Sequence, residues 1–159
     1  MTLPLADELL RLAVAAGATV TTAESCTGGM VAAAITDVAG SSAVFERGFV
    51  TYSNVAKTEM LGVAPATLEA HGAVSEEVAR EMALGALQAA QATVAVSISG
   101  IAGPGGSEFK PEGRVCFGLA TTNSVETKTI DFGAQGRANV RAAARDEALS
   151  LLLTGLRNL

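Results

Sequence analysis

The stretch Thr19-Val20-Thr21-Thr22-Ala23-Glu24-Ser25-Cys26-Thr27-Gly28-Gly29-Met30 decides how this chain folds. Its first part, within 18–23, is a short run rich in β-branched residues, whose crowded Cβ atoms favour extended backbone. Six polar or small residues, Glu24 to Gly29, then break the apolar pattern, and an Ala-rich segment of helical pattern follows over 30–38. Strand, loop and helix in that order mark an α/β unit.

The same alternation extends outward in both directions. Upstream, over 3–16, Leu5, Leu9, Leu12 and Ala16 recur at helical spacing, and Gly17 stands where a helix end needs a left-handed residue. Downstream, Ala39-Gly40 closes the Ala-rich helix and Ser41-Ser42 opens a turn. A strand is expected over 45–52 and a helix over 54–61, with Lys57 on its first turn. Residues 71–77 read as a loop closed by Ser75 as an N-cap. A long helix to about Ala92 should then bury Val78, Met82, Leu84 and Leu87.

The run 93–99 alternates Val94, Val96 and Ile98 with small residues and leads into a glycine-rich loop over 100–107. Strands over 114–122 and 125–132 are separated only by Asn123-Ser124, short enough for a hairpin. Gly136 begins a last helix to about Leu156. These elements predict one domain over 1–159, of α/β class, with three layers α/β/α around a mixed, partly parallel sheet. No linker, repeat or low-complexity segment interrupts them.

Composition narrows the function. At 159 residues and 49% hydrophobic content the chain can bury one core, and with 4% aromatic residues and no tryptophan that core is aliphatic. A net charge of −5 argues against nucleic-acid binding by phosphate neutralisation, while leaving room for one anionic ligand held by local cations. No apolar run reaches the roughly 18 residues of a membrane span, and the N-terminus lacks a basic leader, so a cytoplasmic protein without a membrane partner is expected. Cys26 and Cys116 have no CxxC or Cys/His spacing, and His71 is the single histidine. Neither a disulfide framework nor a metal centre is therefore expected.

Ligands of open α/β sheets bind where strand carboxyl ends meet their loops. Three polar loops qualify here. In the first, Glu24 to Gly29, the amides of Thr27, Gly28 and Gly29 could hold an anion or a developing oxyanion at the helix start, although Ser25 or Thr27 could equally be a simple cap. The second holds Tyr52, the only tyrosine, and Lys57. A lysine serves as a general base if burial depresses its pKa, whereas an exposed lysine on a solvated turn does nothing of the kind. The third, with Ser99, Gly100 and Gly103, lets backbone approach a ligand closely, with Ser107 and Lys110 nearby to meet ribose or phosphate. It matches no nucleotide fingerprint and also reads as a mobile turn. Cys26 is a rival nucleophile, and His71 and Cys116 read as structural.

The string Thr22-Ala23-Glu24-Ser25-Cys26-Thr27-Gly28-Gly29, then Gly40-Ser41-Ser42, Phe49-Val50-Thr51-Tyr52-Ser53-Asn54, Lys57, Gly72-Ala73-Val74-Ser75 and Ser97-Ile98-Ser99-Gly100-Ile101-Ala102-Gly103-Pro104, resembles the CinA C-terminal domain family over nearly the whole chain. The resemblance implies deamidation of nicotinamide mononucleotide to the acid plus ammonia, in NAD recycling, without metal or other cofactor. It implies Ser25 as nucleophile, Lys57 as base and polar roles for Tyr52 and Ser42. Many members carry a further N-terminal domain with a pyrophosphatase-like activity, which is expected to be absent here. Arg137, at a helix start, is the first candidate for the 5′-phosphate, ahead of Arg141, Lys110 and Arg47. The expected partners are a small nucleotide substrate and further copies of the chain. The competing expectation is a non-catalytic pyridine-nucleotide-binding or regulatory module linked to competence or DNA damage.

Overall fold

Described over residues 2–107 and 109–159 in a computed structural model, the chain opens with helix α1 (Thr2–Ala16) and turns at Gly17, φ 62°, into strand β1 (Val20–Glu24). All five β1 residues are buried, as expected of a central strand covered on both faces. Helix α2 (Met30–Thr36) and a 3-10 turn (Ser41–Ala43) lead to strand β2 (Phe49–Val50). Next come α3 (Asn54–Leu61), α4 (Pro65–His71) and α5 (Glu76–Ala90). Strands β3 (Val94–Gly100), β4 (Arg114–Thr121) and β5 (Val125–Asp131) and helix α6 (Arg137–Arg157) complete the order.

The sheet order is β2-β1-β3-β4-β5. Strand β1 pairs in parallel with β2 and β3, and the β3–β4 and β4–β5 pairs are antiparallel. Apolar side chains of α1, α2 and α6 pack with Val20, Val96, Ile98 and Phe117 on one face of the sheet. On the other face Leu61, Val78, Met82 and Ala86 of α3 and α5 meet Ala23, Ala95 and Ala120. The predicted three-layer α/β fold with a mixed sheet is therefore the observed one. Gly85 makes the α3–α5 contact possible, because a Cβ there would lie 1.9 Å from Leu61 O. None of the described helices is long and apolar enough to cross a membrane.

Three expectations need correction. The strand expected over 45–52 shrinks to Phe49–Val50 plus an isolated bridge between Phe45 and Val20. Between them Arg47 O accepts from the Thr21 hydroxyl at 2.8 Å, so a side chain replaces a ladder bond and the chain leaves the sheet. Helix α4 was not foreseen, although Pro65 in its first turn is a common helix start. Finally, Leu84 and Leu87 are only partly buried, at the edge of the α5 contact face.

The parallel arrangement points the carboxyl ends of β1, β2 and β3 the same way. Two bonds prolong this alignment past the strands: Ser25 N donates to Ile98 O at 2.9 Å and Thr51 N to Glu24 O at 2.8 Å. The residues after β1 and β2 are thus held against the end of β3.

Candidate active site

Lys57 is 1% exposed, on the inner side of α3. The Ser53 hydroxyl starts that helix by accepting from Ala56 N at 3.0 Å, which sets Lys57 one turn in and aimed at the strand ends. Its Nζ lies 3.0 Å from Ser25 Oγ, 3.1 Å from Thr51 O and 3.2 Å from Tyr52 O. Burial pushes its pKa below the ordinary lysine value of 10.5, because the charged ammonium loses its water. The solvated-lysine alternative is removed.

A neutral amine has two N–H bonds and one lone pair. Thr51 O and Tyr52 O can only accept, so the two N–H bonds go to them and the lone pair is left for the Ser25 hydroxyl. Ser25, 7% exposed, also lies 3.4 Å from Tyr52 O. The arrangement can deprotonate a serine hydroxyl, as a nucleophile-and-base pair requires.

A cavity of about 240 Å³ opens on this pair, lined by Ser25, Cys26, Tyr52, Asn54, Lys57, Ala73, Val74, Ser99, Gly100, Ala102 and Arg137. It therefore joins the first two polar loops and the start of the third. Ser99 Oγ donates to Ala73 O at 2.8 Å and so holds the far wall. Arg137 donates from Nη1 to Gly103 O at 2.8 Å and from Nη2 to Tyr52 Oη at 2.9 Å, spanning the mouth between two loops. A cleft of about 450 Å³, with Lys110, His71 and Phe109, adjoins across Ala73 and Val74.

Several candidate residues take other places. Tyr52 contributes its main-chain carbonyl to the pair; the residue is 62% exposed and its hydroxyl meets Arg137 rather than Lys57 or Ser25. Ser42 lies in the 3-10 turn at the opposite, amino-terminal end of β1, where Val20 N donates to Val44 O, and does not line the cavity. Arg47 is paired with Glu46 near that same end. Arg141 donates to Cys26 O and Thr27 O, and Lys110 to the carbonyls of His71 and Val74.

Thr27, Gly28 and Gly29 form the turn behind Ser25 without lining the cavity. The Gly28 and Gly29 amides are engaged, Gly28 N with Ser25 O at 3.0 Å and Gly29 N with Glu24 Oε1 at 3.2 Å. Glu24, fully buried, also accepts from Val31 N at 2.9 Å and Ala32 N at 3.0 Å. Of the three amides expected to meet an anion, its carboxylate takes that of Gly29. Neither Ser25 nor Thr27 is the cap, since the N-cap of α2 is Gly29 with no side-chain bond.

Cys26 lines the cavity, yet burial pushes its thiol up to about 11, which suppresses the nucleophilic thiolate. His71 stands 3.6 Å from Glu77, outside the cavity.

A model of the CinA C-terminal domain matches residues 2–156. The chain belongs to the CinA C-terminal domain family. It is 58% identical over 149 residues to the nicotinamide-nucleotide amidohydrolase PncC of Escherichia coli strain K12, covering 93% of this chain and 90% of that one. The crystal structure of the competence/damage inducible protein CihA from Agrobacterium tumefaciens superposes with TM-score 0.94 at 46% identity, covering 97% and 94% of the two chains. That of a CinA superfamily protein from Klebsiella pneumoniae superposes with TM-score 0.95 at 39% identity, covering 100% and 99%.

Within this CinA-type domain, sequence reasoning missed the part played by Glu24 and the contacts of Arg141 with the main chain after Ser25. The signal for Glu24 was an acid at the end of an otherwise uncharged, β-branched strand, just ahead of a helix lacking a side-chain N-cap. Asn54, a cavity residue inside a quoted motif, was also passed over.

Proposed function

We propose that this chain hydrolyses the carboxamide of nicotinamide mononucleotide to the carboxylate, releasing ammonia, by a Ser25/Lys57 mechanism. That the chain is a hydrolase rests on its 58% identity to nicotinamide-nucleotide amidohydrolases over 93% of its length. The observation that carries the mechanism is the buried Lys57 Nζ, 3.0 Å from Ser25 Oγ with both other near partners carbonyl oxygens.

Lys57, as the neutral amine, removes the hydroxyl proton while Ser25 Oγ attacks the carboxamide carbon. The tetrahedral intermediate collapses by breaking C–N, and the Lys57 ammonium returns that proton to the nitrogen, which leaves as ammonia. Water then attacks the Ser25 ester, giving up a proton to Lys57. Breaking the C–O bond frees the acid, and the Lys57 ammonium returns its proton to Ser25 Oγ, restoring the serine and the neutral amine. Side chains suffice for each proton transfer.

Charge supports an anionic substrate. Among the described residues Lys110, Arg137 and Arg141 lie at or beside the cavity and have no carboxylate partner, in a chain of net charge −5. That Arg137 lines the cavity supports reading it as the anchor of the 5′-phosphate.

Incubating the purified protein with nicotinamide mononucleotide and measuring ammonia and the acid product tests the proposal. Stoichiometric formation of both, abolished in Ser25→Ala, is expected. Tight binding without turnover would instead indicate a sensing module.

A further inference from the structure

Ser99 stands beside Ser25 across the end of the sheet. Strand β1 pairs in parallel with β3, Ala23 with Ser97 and Glu24 with Ile98, and one step further Ser25 N donates to Ile98 O at 2.9 Å. That bond continues the ladder, so Ser25 lies opposite Ser99 on backbones about 4.8 Å apart. Side chains two residues apart share a face of a strand. Ala23 and Ala95 face the layer of α3 and α5, and Ser97 Oγ donates to Ala79 O of α5 at 2.6 Å. Ser25 and Ser99 therefore both point to the side from which Lys57 comes. Both line the cavity, and Ser99 is 1% exposed. A carboxamide attacked by Ser25 Oγ has Ser99 as its neighbour in the cavity wall.

A hydroxyl has one proton and two lone pairs. Ala73 O can only accept, so the proton of Ser99 is committed to it at 2.8 Å. The loop carrying Ala73 is held in turn by Lys110, whose Nζ donates to His71 O at 2.6 Å and also to Val74 O. No donor among the described residues reaches Ser99 Oγ. This buried oxygen thus offers the cavity lone pairs alone, and a buried acceptor calls for a donor.

Amide and acid differ at this point: a carboxamide carries two N–H donors, whereas the carboxylate that replaces it has only lone pairs and a negative charge. We propose that Ser99 is a specificity-determining residue, its Oγ accepting one carboxamide N–H of the substrate and opposing the carboxylate of the product. This rests on the deamidation proposed above. Ribose hydroxyls also donate, but with the phosphate at Arg137 they lie toward the mouth, while Ser99 stands at the strand end beside Ser25. Substrate and product share ribose and phosphate, so the group at Ser99 is what tells them apart and lets the acid leave.

Equilibrium binding to Ser25→Ala, and to Ser25→Ala combined with Ser99→Ala, tests this with three ligands alike in ribose and phosphate. They are nicotinamide mononucleotide, its acid, and the acetylpyridine mononucleotide in which a methyl group replaces the amide nitrogen. Ser25→Ala should hold the amide roughly 10-fold more tightly than either other ligand, the effect of one buried hydrogen bond made or left unmade. Adding Ser99→Ala should shrink that advantage to within about 2-fold, the amide binding more weakly and the acid more tightly. A merely loosened wall would weaken all three ligands alike, and that result, or an advantage unchanged by Ser99→Ala, would overturn the inference. The acetyl ligand probes the same contact with Ser99 intact, so the inference also fails if Ser25→Ala binds it as tightly as the amide, whether or not the double variant folds. Turnover of nicotinamide mononucleotide by the wild type is measured alongside. Its absence removes the proposed function and the inference together, whereas turnover without a preference for the amide removes the inference alone.

Discussion

Lys57 Nζ lies 3.0 Å from Ser25 Oγ, and it is brought there across 32 residues of sequence by the parallel pairing of β1 with β2. Removing either member should stop turnover. Ser25→Ala and Lys57→Met are each expected to reduce kcat by about 10⁴-fold or more while the fold persists, and the double variant should lose little beyond either single one. Kinetics paired with circular dichroism provide the check, and substantial turnover by Ser25→Ala would exclude it as the nucleophile.

Lys57 is a base only when neutral, so kcat should rise with pH through its titration, along a limb displaced below 10.5 by burial. Stability carries the same sign. Between the folded-state pKa and 10.5 the unfolded chain holds more protons than the folded one, so stability increases as pH rises through that window. Urea unfolding of wild type and Lys57→Met over a series of pH values rising to 10.5 should show the wild type gaining on the variant.

Cys26 neighbours Ser25, but a thiol pushed up to about 11 is almost wholly protonated at neutral pH. The thiolate fraction at pH 7 is on the order of one in ten thousand. Cys26→Ala should therefore keep most of the activity, and iodoacetamide at pH 7 should inactivate slowly. Rapid inactivation protected by substrate would contradict this.

Arg137 touches Gly103 O and Tyr52 Oη at the cavity mouth, away from the reacting hydroxyl. Arg137→Met should raise KM by roughly 10- to 100-fold with a smaller change in kcat, as expected for a lost charge-assisted contact of about 1.5–3 kcal/mol. The same variant should discriminate less between nicotinamide mononucleotide and its riboside. Tyr52→Phe, which removes only the Arg137 contact and keeps the carbonyl at Lys57, should act more weakly in the same direction.

Glu24 bonds three main-chain N–H groups at the start of α2 from a fully buried position. Glu24→Gln replaces one accepting oxygen by a donor facing a donor, and should cost about 2 kcal/mol of stability, measurable as a lowered urea midpoint. A midpoint equal to wild type would show that the charge is not needed there.

Much of this molecule was legible as local pattern. The β-branched run before Glu24, the helix over 54–61 capped by Ser53 and the Asn123-Ser124 hairpin depend on near neighbours in sequence, where backbone sterics and capping bonds act. Motifs in order also drew attention to Ser25, Lys57 and the loop at Ser99 and Gly100 before any of them had a position in space. Local pattern failed at 45–52, where the Thr21 hydroxyl takes a carbonyl that a ladder bond would have used. Nor did it place Ser42, whose turn lies at the amino-terminal end of β1, away from the cavity.

What the sequence determined by itself, then, was the order of strands and helices and the short list of polar residues around Ser25 and Lys57. Only the tertiary structure decided which of those residues meet, and in what state. Lys57 is a candidate base because burial disfavours its ammonium, and in the neutral amine two carbonyls would take both N–H bonds and leave the lone pair to Ser25. Glu24 and Arg141 became supports for the nucleophile turn because the packing of α2 and α6 brings them to main-chain atoms. Desolvation and hydrogen-bond direction arise from atoms distant in the chain, so no local stretch of residues can encode them.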